Sequence, residues 1–314
     1  MNPFIKIIAG IVVLVVGATV GLNWLSKESE TDSVDVSEES NSNRASSPEA
    51  LLPLESISHI HGLAVDVADP TRLYIATHAG LAVLKDGNDL YRIGENQNDF
   101  MGFVVHPRNA KTFFASGHPA QGGNLGFQKS ENGGMSWNRV SSGATGVADF
   151  HALAVSPINP ELAYGFDGGR LQRSMDGGKK WEVLKTNVPQ IISLTACSQT
   201  EAMVYAATAD GLYMSTDKGS TWENISEDMK GTAVITVAVS PNDSMKMISS
   251  SQKLGLAKSD DGGRSWQKLE GALNGEIVMN LAIDPNNVET MYAATRGNNI
   301  WNSMDGGNTW SKIR

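Results

Sequence analysis

Cysteine is nearly missing from this 314-residue chain, and Cys197 is the only one. No intramolecular disulfide can form, so pairing gives no reading of the redox compartment. Basic charge is also short: 25 Lys and Arg stand against 34 Asp and Glu, for a net charge of −9. That balance argues against a nucleic-acid partner, which would need a basic stripe. Histidine is absent from the second half. All six copies, His59, His61, His78, His106, His118 and His151, fall before residue 152. Aromatics are modest while Gly is abundant, as expected of many short strands joined by tight turns.

One apolar run is long. Residues 7–25 read IIAGIVVLVVGATVGLNWL, 19 residues without a charge, enough to cross a bilayer as a helix. Lys6 precedes it and Trp24 and Lys27 mark its far boundary, so basic charge favours a cytoplasmic N-terminus and an exported remainder. A cleaved signal peptide is the rival reading. No A-x-A site follows the run, and no cysteine is at hand for lipid attachment. Residues 28–50 carry Glu28, Glu30, Asp32, Asp35, Glu38, Glu39 and Glu49 against Arg44 alone. Such a segment buries too little apolar surface to fold and reads as a disordered, self-repelling tether. The expected organisation is a membrane anchor over 1–27, a linker over 28–50 and one domain over 51–314.

That domain is repetitive. The pattern Ser-x-Asp-x-Gly-x-x-Trp occurs at Ser174–Trp181, Ser215–Trp222, Ser259–Trp266 and Ser303–Trp310, and with Asn132 in place of Asp at Ser130–Trp137. The tryptophans are spaced by 44, 41, 44 and 44 residues, a period that four short strands fill in a propeller blade. The carboxylate or amide accepts turn N–H groups, Gly takes a positive φ, and Trp is expected to be buried at the start of the next strand. A second repeat marks an apolar strand in each unit, starting at His61, Met101, His151, Ile192, Ile235 and Met279. Six units follow, the first keeping only the short turn Asp86-Gly87. Residues 51–57 are expected to complete or latch the ring.

These repeats resemble the Asp-box, or bacterial neuraminidase, repeats of sialidases, sortilin ectodomains and photosystem II assembly-factor propellers. The resemblance covers about residues 58–314 and implies an all-β, six-bladed propeller. It says little of function, because the boxes are structural in those families and one fold serves many ends. Sialidases of this type use three arginines, a Tyr–Glu pair and an acidic proton donor, usually with an Arg-Ile-Pro motif. This chain has no Arg-Ile-Pro; Arg139, Arg173 and Arg264 sit in or beside the turns, and only Arg170 and Arg296 fall near a mouth. A glycosidase would need two flanking carboxylates, and Asp99 and Asp149 are the acids in matching mouth positions.

The sharper lead is histidine. His61, Met101 and His151 share one repeat column, and His59, Asp99 and Asp149 share another two residues earlier. Residues i and i+2 lie on one strand face, so His59 is expected to point with His61, and Asp149 with His151. His78 and His118 close the second strands of units 1 and 2 and should reach the same mouth. Imidazole with thioether suits copper, particularly Cu(I), and imidazole with carboxylate suits zinc or Cu(II). The candidate ligands are His59, His61, His78, His118, His151, Met101 and Asp149, with His59, His61, His118 and His151 expected to converge on one ion. Packing of the same column between blades, with Met as filler, is the plainer alternative. Docking of another exported or membrane protein, and binding or cleavage of a glycan, are the competing functions.

Overall fold

The computed structural model describes residues 51–314. The proposed anchor and linker lie outside the described residues, and no described helix is long and apolar enough to cross a membrane. The described residues form six antiparallel sheets in chain order, the six blades of a propeller. Blades 2–6 have four strands each, and blade 1 has five.

The innermost strands are Ile60–Val65, Asp99–Val105, Ala152–Val155, Ile191–Ala196, Val234–Ser240 and Val278–Ile283 in blades 1 to 6. These strands line a central cavity of about 290 Å³. The core is divided into wedges, because the two faces of each blade are buried against different neighbours. Tyr74 and Ile93 of blade 1 pack with Phe100 and Phe113 of blade 2, and Phe127 of blade 2 packs with Phe150 and Leu153 of blade 3. Equivalent clusters fill the other junctions.

The repeated turn is built as its residue types require. In blade 3 the Gly178 N–H donates to Ser174 Oγ at 2.8 Å, and the Ser174 hydroxyl donates to Asp176 Oδ1 at 2.9 Å. The Lys180 N–H donates to the same oxygen at 2.9 Å, and Trp181 Nε1–H donates to Gly178 O at 3.0 Å. Gly178 sits at φ 83°, and a Cβ there would fall 2.1 Å from the Phe127 ring of blade 2. Both the left-handed backbone and the close approach therefore demand glycine. The tryptophans are less enclosed than expected. Of the five turn tryptophans only Trp222 is buried, at 9% exposure; Trp137, Trp181, Trp266 and Trp310 are half-buried. Each indole lies along the blade edge with its N–H held by the turn carbonyl, so part of the ring stays wet.

Ring closure needs no shared sheet. Blade 6 is made of Val278–Ile283, Met291–Thr295, Ile300–Ser303 and Ser311–Lys312, and Leu51–Pro53 adds to the outer edge of blade 1 by pairing with Asp89–Ile93. Residues 51–57 still latch the ring through packing: Leu54 and Ile57 join the cluster of Ile60, Ile75 and Leu84 with Ala282, Ala294 and Ile300 of blade 6. Asn280 Nδ2 donates to Ile60 O at 3.2 Å, and Asn286 Nδ2 to Val67 O at 3.0 Å. Arg314 reaches Asn88 O and Glu55 O.

Candidate metal centre at the propeller mouth

The column that begins each innermost strand has a backbone cause. In blades 1, 2, 4, 5 and 6 the pairing with the second strand skips one residue: Ile60 and Gly62 are paired around His61, and Phe100 and Gly102 around Met101. The same slip occurs around Ile192, Ile235 and Met279. These are β-bulges, which leave the extra residue out of the ladder and re-aim its side chain at the rim. In blade 3 the strand pairs from Ala152 onward, and His151 stands free just before it. His61, Met101 and His151 all line the central cavity.

Strand alternation does not explain His59. It precedes the first paired residue, at φ 50°, a left-handed conformation that side chains other than Gly adopt at a cost. The ring nevertheless comes edge-on to His78, 4.7 Å between centroids, while His61 approaches His78 from another side at 4.4 Å. His59 and His61 thus share His78 as a neighbour, by a backbone route other than strand alternation.

Two groups result instead of the single convergence expected. His61 and His78 of blade 1 face Asp99 of blade 2, and His118 of blade 2 faces Asp149 and His151 of blade 3. In each group one ligand atom per residue lies within 4.8 Å of the other two. His78 Nδ1 is 2.6 Å from Asp99 Oδ2, whereas His61 Nε2 lies 3.5 Å from Asp99 Oδ1. The latter two atoms are buried and make no hydrogen bond. In the second group His118 Nε2 and His151 Nε2 both approach Asp149 Oδ2, at 3.0 and 2.5 Å, while Asp149 Oδ1 is buried without a partner.

His118 carries the most telling contact. Its Nδ1 lies 2.9 Å from the carbonyl of Gly123. A carbonyl only accepts, so Nδ1 holds the proton. Nε2 of the neutral ring then presents a lone pair to a carboxylate oxygen 3.0 Å away. Two acceptors at that separation repel unless a cation, either a second proton or a metal ion, lies between or beside them. A ring N–H tied to a backbone carbonyl while the other nitrogen faces outward is also the usual support of a ligating histidine.

The local field favours a neutral ring at His61 itself. Burial, and then the neighbouring His78, His151 and His59, depress its pKa from 6.5 to about 4. Asp99 is pushed up, first by burial, and Asp149 adds to that by repulsion. His151 is raised by its hydrogen bond to Asp149. Charges in one group are thus felt by the other. The rings are accessible: the His78, His118 and His151 side chains are 39%, 38% and 54% exposed, which sets them apart from core residues packed between blades.

Met101 lines the cavity beside His61 and His151. The sequence marks Asp99 only as a glycosidase acid, yet it occupies the same place in the first group that Asp149 holds in the second. Its position two residues before the bulge, matching Asp149, was the available signal. His106 lies apart, its Nδ1 accepting the Arg108 N–H at 3.1 Å in a turn. Arg173 ties blade peripheries together through Glu182 and Lys218 O, far from a sialidase role.

Fold and site together define a six-bladed propeller with two carboxylate-centred histidine pairs at one mouth. No family model and no curated protein sequence matches the chain. Solved structures do. An ancestral GH74 enzyme superposes with TM-score 0.59 at 17% identity, over 85% of this chain and 40% of that one. The GH74 xyloglucanase from Xanthomonas campestris gives 0.58 at 17%, over 84% and 47%. YCF48 bound to D1 peptide gives 0.53 at 16%, over 85% and 86%. The chain therefore spans less than half the length of these GH74 structures. The likeness to glycosidase and assembly-factor propellers holds at the level of fold.

Proposed function

We propose that this chain is a binding module whose propeller mouth takes a borderline transition-metal ion, zinc or copper(II), and that residues 7–25 hold it on the outer side of a cell membrane. The observation that carries the metal reading is the His118 contact: a ring whose Nδ1 proton is committed to Gly123 O faces Asp149 Oδ2 with its other nitrogen. Asp99 and Asp149 mix a carboxylate oxygen with imidazole nitrogens, a donor set for Zn(II) or Cu(II) in preference to Cu(I), with Met101 the thioether that lines the cavity beside His61 and His151. The first prediction is that the full-length chain, purified in detergent and stripped with chelator, binds Zn(II) and Cu(II) by calorimetry. Replacing Asp99 and Asp149 together by Asn should weaken binding by at least about 100-fold, since loss of even an outer-shell partner costs 10–100-fold. Unchanged affinity in that double variant would place the metal elsewhere.

Docking of an exported protein is the second reading. It is favoured by the match to YCF48 bound to D1 peptide, in which one propeller accounts for most of both chains. Glycan cleavage fares worse, because both mouth carboxylates are engaged by histidines and this chain covers less than half of either GH74 structure. For the anchor, protease added to intact spheroplasts should cut within 28–50 and release the propeller; a fully protected domain would reverse the orientation.

A further inference from the structure

The two groups at the mouth are related by a shift of one blade, and the shift is imperfect. Resting on the metal reading above, we propose that the mouth holds two ions of different kinds. One, between blades 1 and 2, is closed by four protein ligands with His59 as the fourth. The other, between blades 2 and 3, has three protein ligands and an open position that accepts an exogenous nitrogen or anionic donor.

The repeat register shows why. Blade 1 presents His59, His61 and His78 at three mouth positions, namely the residue two before the bulge, the bulge itself and the end of the second strand. Blade 2 presents Asp99, Met101 and His118 at the same positions. The first group takes His61 and His78 of blade 1 with Asp99 of blade 2, and His59 stands beside it against His78. The second begins from a poorer set, for Asp99 is already engaged by His78 at 2.6 Å and Met101 replaces an imidazole by a thioether, a weak ligand for zinc. From blade 2 it keeps His118 alone and takes Asp149 and His151 from blade 3. Three strong donors and a vacant position describe a zinc site that binds something else; four describe a closed one.

His59 is placed for the closing role. Its ring already stands 4.7 Å from His78 by centroid, it is exposed, and it lies just before the first paired residue of its strand with a left-handed backbone. On the other side, His151 is the most exposed ring of the second group at 54%, so the vacancy opens to solvent at the mouth.

Cobalt(II) reads both sites through its visible absorption, which reports coordination number. The full-length chain in detergent should bind two equivalents of Co(II). Added azide or imidazole should change the spectrum of one equivalent only. His118→Ala should remove that responsive equivalent and leave the silent one. His59→Ala should leave the fold unchanged by circular dichroism and make both equivalents respond, because it opens the closed site. A stoichiometry of one overturns the inference while leaving the metal reading intact. So does a response from neither or both equivalents in the unaltered chain, or a His59→Ala protein with one responsive equivalent. Absence of any bound metal overturns the proposed function itself.

Discussion

At the scale of single residues, the mouth is governed by where protons can sit. His61 is buried among other imidazoles, and this favours its neutral form down to about pH 4. A neutral ring is the form that binds metal, so His61 is ready to ligate at any ordinary pH. The sign for stability follows. A folded-state pKa below the unfolded value of 6.5 contributes stability that is present above pH 6.5 and lost as pH falls toward 4. His151 works the other way: its raised pKa contributes below the unfolded value and is lost as pH rises through the folded one. The metal-free chain should therefore show, by ¹⁵N NMR titration, His61 protonating near pH 4 and His151 above the ordinary imidazole value of 6.5. The difference in denaturation free energy between the unaltered chain and His61→Asn should shrink between pH 6.5 and 4. A His61 ring that titrates near 6.5 would contradict the burial on which this rests.

Elements place those residues. The bulges do what alternation cannot. In five of the six blades they take one residue of the innermost strand out of the ladder and set it at the rim, so that blades of different sequence present one side chain in a common place. The turns fix the other edge of the blade. Ser174 Oγ satisfies the buried Gly178 N–H and donates to Asp176. Ser174→Ala leaves that donor unpaired and should cost about 1–3 kcal/mol in urea denaturation. Trp222→Ala should cost about 3–5 kcal/mol, as for an enclosed aromatic. The half-buried Trp137 and Trp266 should cost less, since part of each ring never leaves water. Equal losses at all of these positions would mean that exposure does not set their contribution.

The whole molecule is a ring closed by side chains. Without a strand shared between first and last blades, the junction of blades 6 and 1 relies on one apolar cluster and a few side-chain hydrogen bonds. It should open before any other junction, and hydrogen exchange should show Val278–Ile283 and Ile60–Val65 losing protection first. Asn280 links that seam to the mouth, because it donates to Ile60 O, whose residue lies between His59 and His61. Asn280→Ala should cost only about 0.5–1.5 kcal/mol of stability. It should also weaken metal binding by His61 and His78 while leaving His118 and His151 unaffected. Loss confined to the second pair would show that the seam and the first site are uncoupled.

What the sequence determined by itself was whatever repeats. The turn residues and the apolar strands recur at a blade's length, and each repeat carries its own local chemistry, so blade number, strand order and the shared column of His61, Met101 and His151 could all be read along the chain. That His78 and His118 reach the same rim followed from antiparallel pairing alone. The tertiary structure decided how these side chains group, because grouping happens between blades and depends on the angle at which one sheet meets the next. Hence Asp99 joins the histidines of blade 1 and Asp149 joins His118, dividing one expected cluster into two. The bulge that frees His61, the left-handed turn that brings in His59 and the closure of the ring without a shared strand are likewise settled by packing. Each depends on a neighbour far away in sequence, and no local pattern of residues encodes that neighbour's position.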